Sequence, residues 1–180
     1  MAQIRILDEV ATIRFGTRVT RKKDGGTIYP VYGGGGETFR LDEYNREDCT
    51  IISRFAMSEE CVRFVEGKFF LNDSGLTVES KTDELLQEYL DKFLFSQMRK
   101  IYSLGRGTAQ KNLQTEAFRK LEIPVPSLEK QIEIVEKVTQ MQEIIADLRK
   151  AFERKQAMLN ELNESVLGAA FFDEVSDVAK

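Results

Sequence analysis

The stretch Gly105-Arg106-Gly107-Thr108-Ala109-Gln110-Lys111-Asn112 concentrates an arginine, a lysine, two amides and a hydroxyl on one short turn. Cationic groups grip phosphates, and guanidinium and carboxamide groups can pair bidentately with the edges of guanine and adenine. Arg106 and Gln110 are therefore the natural base-edge candidates. The same composition also suits a solvated connection after a helix, and composition alone does not decide between the two. A second basic run, Arg18, Arg21, Lys22 and Lys23, is open to the same pair of readings.

Other chemistries are poorly supplied. With no histidine in the chain, general base catalysis would rest on carboxylates, lysine or cysteine, and no catalytic constellation stands out. Cys49 and Cys61 are the only cysteines, too few with no histidine for the usual zinc ligand sets, so a reduced protein without metal or cofactor is expected. Gly33 to Gly36 lack the Lys-Ser/Thr of a phosphate-binding P-loop and the G-x-G-x-x-G spacing; they suit a sharp turn or a close approach of main chain. Asp73 is explained by an Asx-turn. Arg54 and Lys68 read as flanking the core, and Phe64, Phe69 and Phe70 as part of it.

These residues must be positioned by a small β-rich core. Tyr29-Pro30-Val31-Tyr32, Cys49 to Ser53, Cys61 to Val65, Phe69 to Leu71 and Leu76 to Val78 read as strands; Ile4 to Thr12 reads as a strand and turn at the edge. From Asp83 to Leu104 the spacing becomes helical, with Leu85, Leu86, Tyr89, Leu90, Phe93, Leu94 and Met98 on one face, ending at Gly105-Arg106-Gly107. A shorter helical stretch covers Asn112 to Lys120, and Leu121 to Val125 is an extended link. Pro124 and Pro126 then stiffen the entry to a long helix for which Ser127 is the expected N-cap.

That helix carries a seven-residue apolar repeat, Val138, Ile145, Phe152, Leu159 and Val166, with Met141, Leu148, Leu162 and Ala169 in the second seam position and Lys155 as its only break. So narrow a stripe wants a partner helix. At ~1.5 Å per residue, the run from Leu128 to Ala170 would span about 65 Å. Residues 1–126 hold 19 basic and 19 acidic residues and residues 127–180 hold 7 and 11, so the net charge of -4 sits on the arm. The neutral head is patchy, with five basic residues and no acid from Val10 to Lys23, and six against one from Arg99 to Lys120. No signal peptide or membrane span is evident, and the cytoplasm is the expected location.

The run Gly105 to Leu113, followed by Phe118-Arg119-Lys120-Leu121-Glu122-Ile123-Pro124-Val125-Pro126-Ser127-Leu128-Glu129-Lys130-Gln131-Ile132, resembles the specificity (S) subunit of type I restriction-modification systems. Ile6 to Val10, Tyr29-Pro30-Val31-Tyr32-Gly33 and Glu66-Gly67-Lys68-Phe69, the last like the family's mid-domain turn, extend the resemblance upstream. It implies an α+β protein: a small β-rich DNA-recognition domain with flanking helices, followed by one long C-terminal coiled-coil helix. The expected division is a target recognition domain at 1–126, a spacer and dimerisation helix at 127–172 and a tail at 173–180. Such a chain would be no enzyme itself. It would bind double-stranded DNA, reading one half of a bipartite site through Arg18, Arg21, Lys22, Tyr32, Arg106, Thr108, Gln110 and Lys111, and would dock methyltransferase subunits, with restriction subunits as further partners. The family's tandem chains hold two recognition domains; here one is seen, so an antiparallel homodimer through the seam and a palindromic, interrupted target are expected. Ala170 to Val175 carries aspartate where the family's ending has glycine. A coiled-coil adaptor whose head binds protein instead is the rival reading.

Overall fold

A computed structural model describes residues 2–108 and 110–177, with side chains through residue 171. In chain order the elements are β1 (Gln3–Ile6), α1 (Leu7–Val10), β2 (Ala11–Phe15), α2 (Arg21–Asp24), β3 (Tyr29–Tyr32), β4 (Arg40–Leu41), β5 (Arg46–Ser53), β6 (Val62–Leu71) and β7 (Gly75–Ser80). Then follow α3 (Gln87–Ser96), α4 (Met98–Ser103), β8 (Gly105–Arg106), β9 (Asn112–Leu113), α5 (Thr115–Arg119), β10 (Glu122–Val125) and α6 (Leu128–Asp177). Two units divide the chain, Met1–Val135 and Glu136–Lys180.

The first unit is built on a six-stranded mixed sheet of order β2-β7-β5-β6-β3-β4. Thr50, Ile51, Ile52 and Ser53 are all buried in β5, which explains why its run is continuously β-branched or small rather than alternating. One sheet face meets α3, α4 and α5 in the main core, where Leu90, Leu94, Ile101 and Phe118 are fully buried beside Ile52, Leu76 and Val78. Each such side chain removed from water is worth about 1.5–3 kcal/mol. Ile51, Val65, Phe69 and Leu71 form a second cluster.

Several local expectations change: Phe64, expected in the core, is 48% exposed on β6, and Asn112–Leu113, expected to be helical, form β9. Glu66-Gly67 is not a turn: β6 runs through it unbroken, and a bulge between Glu47 and Cys49 in β5 takes up the irregularity, with the Gly67 N–H bonded to Asp48 Oδ1 at 2.6 Å. The single helix expected from Asp83 to Leu104 is two, meeting at Gln97. No proline or glycine marks the break; Gln97 leaves helical geometry at φ -93°, ψ 8°, and the Phe93 carbonyl accepts both its N–H at 3.1 Å and Ser96 Oγ at 2.7 Å. Ile4 to Thr12 holds two strands with one helical turn between them, and Leu7 and Val10 on that turn plug the core.

β1 and β10 pair as a separate ribbon that leads into α6. The first turn of α6 is fastened by Gln131, whose side chain is fully buried. Its Oε1 accepts from Leu86 N at 2.9 Å, and its Nε2 donates to the carbonyls of Glu84 at 2.7 Å and Pro126 at 2.9 Å. Gln131→Ala strands all three backbone groups, and the full chain is expected to lose about 2–3 kcal/mol in urea unfolding. An unchanged midpoint contradicts this.

In the second unit α6 continues as a single helix past residue 172, and residues 178–180 of the expected tail lie outside the described residues. Met141, Ile145, Leu148, Phe152, Leu159, Leu162 and Val166 are 48 to 71% exposed along it, and Val138 is partly so.

Candidate nucleic-acid interface

The Gly105 to Leu113 segment folds as a hairpin. β8 and β9 pair Gly105 with Leu113 and Arg106 with Asn112. Arg106, Thr108 and Gln110 are exposed on it, whereas Lys111 sets its Nζ 3.9 Å from the centroid of the Tyr102 ring on α4. The hairpin base is fastened to the loop after β5: Leu113 N donates to the Arg54 carbonyl at 2.8 Å, Met57 N to the Lys111 carbonyl at 2.9 Å, and Ala56 N to Asn112 Oδ1 at 3.3 Å. Exposed Arg99 and Lys100 on α4 extend the basic character beside it.

That post-β5 loop is a meeting point for other segments. Arg54 N donates to the Ser74 carbonyl at 2.8 Å in the β6–β7 turn. The same turn receives the chain leaving β2, with Gly16 N bonded to the Gly75 carbonyl and Thr17 N to that of Leu71, both at 3.0 Å. It also abuts the glycine run. A Cβ on Gly34 would lie 2.3 Å from the Phe55 carbonyl oxygen, so close approach of main chain requires glycine there, whereas one on Gly33 would meet the Asn72 side chain, its Oδ1 at 2.4 Å. Ser53 Oγ and Arg63 Nη2 hold the Gly34 and Gly33 carbonyls at 2.8 and 3.0 Å. Burial pushes the Arg63 guanidinium below its ordinary pKa.

One end of the sheet thus gathers the hairpin with Arg106, Thr108, Gln110 and Lys111, the glycine loop, and the segment from which Arg18 emerges. Arg21 and Lys22 are exposed on α2, beside the β4 border where Gly26 N bonds to the Arg40 carbonyl at 2.7 Å. Tyr32 is half-buried, its ring edge-on to Phe69 at 5.6 Å, a packing position more than an open contact.

The sequence reading missed Arg54 as the hub of this end, and with it Phe15 and Phe55, whose rings lie against its guanidinium. The available signal was an Arg-Phe pair directly after a buried strand. It also missed the surface trio of Tyr29, Tyr44 and Lys68, in which Lys68 Nζ sits 4.6 Å from the Tyr44 ring centroid.

Elsewhere Cys49, Glu79 and Asp91 line a polar cleft on the sheet. Burial, reinforced by the carboxylates of Asp91 and Glu79, pushes the Cys49 thiol up to about 11, the opposite of what an activated nucleophile needs. Among the described residues no group of acids and cysteines is placed to hold a metal ion, and no helix is long and apolar enough to cross a membrane.

A family model described as type I restriction modification DNA specificity domain matches residues 2–157. The chain belongs to that family. Membership implies recognition of DNA sequence, and the match takes in both the mixed-sheet unit and the first part of the long helix. No curated protein matches this chain. Three solved structures share the fold. The S subunit of the type I restriction-modification system of M. genitalium superposes with TM-score 0.71 at 21% identity, over 83% of this chain and 41% of that one. A chain from a structure on complex assembly and conformational transition of the type I R-M system gives 0.76 at 21%, over 94% and 45%. The HsdS subunit from Thermoanaerobacter tengcongensis gives 0.60 at 18%, over 83% and 39%. This specificity-domain chain therefore spans less than half the length of each.

Proposed function

We propose that this chain is a non-catalytic specificity subunit whose first unit reads one half of an interrupted DNA site and whose long helix joins it to partner subunits. The observation that carries the reading is the specificity-domain match over residues 2–157. The hairpin supports it with the right chemistry: exposed guanidinium, hydroxyl and carboxamide groups on a short tip fastened at its base, beside basic α4. Arg106 and Gln110 read base edges; Thr108, Lys111, Arg18, Arg21 and Lys22 contact phosphates, and Tyr32 supports the glycine loop. Methyl transfer and cleavage belong to other chains, so no cofactor is required here.

The seam from Val138 to Val166 pairs with the same seam of a second copy, which places two recognition domains on DNA and makes the target an interrupted palindrome. Ile144, Met158 and Leu167, exposed outside that seam, widen the apolar stripe beyond what two helices cover. They form the docking surface for methyltransferase subunits, with restriction subunits joining the assembly. The acidic balance of the helix suits a surface offered to protein rather than to DNA.

Arg106→Ala tests the base-reading role. Affinity for a selected target duplex is expected to fall about 5- to 100-fold, while binding to random duplex at the same salt changes little. Equal loss on both refutes base reading. Binding that is indifferent to salt would favour the protein-adaptor reading, since phosphate contacts release counterions and weaken steeply as salt rises.

A further inference from the structure

Arg54 is a half-buried cation on the loop after β5. Its guanidinium carbon lies 4.9 Å from the Phe15 ring centroid and 4.4 Å from that of Phe55. A single N–H, on Nη1, reaches a protein acceptor, the Asp73 carbonyl at 3.4 Å. Its other side-chain N–H groups have no partner among the described residues. The backbone beneath is held on both sides, by Ser74 through the N–H and by Leu113 through the carbonyl. Gly34 packs on the carbonyl of the next residue, Phe55, and the neighbouring Ala56 N–H is bonded to Asn112 at the base of the hairpin.

We propose that Arg54 is a specificity-determining DNA contact, oriented by Phe15 and Phe55 so that its free N–H edge reads a guanine in the major groove. The inference rests on the reading of this unit as a DNA-recognition domain. A phosphate contact needs only charge, which a swinging lysine supplies. Aromatic rings that fix the guanidinium plane supply what a bidentate base contact needs, a rigid fork whose rotamer entropy is already lost. The ring faces also hold the cation without consuming its N–H donors. Its backbone joins the β6–β7 turn at Ser74 to the hairpin base at Leu113, the hairpin that carries Arg106 and Gln110.

The test is selection from a pool of duplexes with a randomised core, using the full chain, Arg54→Lys and Phe55→Leu. The wild-type consensus should contain a guanine whose preference drops about 5- to 100-fold in Arg54→Lys, the other positions persisting. Phe55→Leu, which keeps the charge and loosens its orientation, should weaken the same position. An unchanged consensus in Arg54→Lys overturns the proposal. So does equal loss at every position in a variant with native circular dichroism, which would make Arg54 a mere brace for the loops. A uniform affinity loss with a shallower salt dependence would make it a phosphate clamp and likewise overturn base reading. Should Arg54→Lys not fold, Phe55→Leu decides alone, by loss or retention of preference at one guanine. A wild-type chain that selects no consensus overturns the DNA reading and this proposal together, a failure visible before any variant is made.

Discussion

Leu148→Glu is expected to leave the chain monomeric in sedimentation equilibrium under conditions where the wild-type chain is a dimer. Leu148 sits in the seam with Ile145 and Phe152, and all three are exposed on the second unit, an arrangement that the proposed partner helix would relieve. The net charge of this unit is already negative, so the new carboxylate finds no general attraction to offset its burial. Transfer of a carboxylate into an apolar seam costs several kcal/mol, counted once in each copy, and about 3 kcal/mol already weakens association more than 100-fold. The first unit, whose core is separate, should keep its thermal transition. A dimer that survives the substitution contradicts the seam as the pairing surface, and a monomeric wild-type chain contradicts homodimerisation.

Gly107→Ala is expected to cost about 10- to 100-fold in affinity for a selected duplex with little change in melting temperature. Gly107 has φ near +124°, outside the range that L side chains adopt, and a Cβ there would lie 2.0 Å from the Gln110 carbonyl oxygen. Backbone strain of this kind costs about 1–3 kcal/mol, and the hairpin tip is the place where it is relieved. The tip must rebuild, displacing Thr108 and Gln110, while the bonds from Arg54, Ala56 and Met57 keep the base in place. Fluorescence anisotropy on the selected duplex, with calorimetry on the same sample, separates the two effects. Unchanged affinity would remove the hairpin from the interface.

The parts of this molecule that were legible in its sequence are those governed by local periodicity. The apolar face from Leu85 to Leu94, the β-branched run at Cys49 to Ser53 and the proline-bounded start of α6 each carry their own signal, and each forms an element near its expected place. The bulge opposite Gly67 was illegible because glycine between two apolar runs marks a turn as readily as a bulge; only pairing with Asp48 decides. The break at Gln97 was hidden because no proline or glycine marks it. At the candidate interface composition marked an exposed, basic, polar turn from Gly105 to Asn112, but not the β8–β9 pairing that makes it a hairpin. Arg54 was not marked in this way, since its significance comes from Phe15, Ser74 and Leu113, which are distant in sequence and meet it only across the folded sheet.

The most direct test of the account is a methylation map of plasmid DNA exposed to methyltransferase subunits of a type I system together with this chain, with Arg106→Ala in parallel. The account predicts methylation confined to an interrupted, palindromic sequence, dependent on the chain and lost or relaxed in one half-site position with Arg106→Ala. Methylation that is identical with and without the chain, or that follows no sequence, would contradict it.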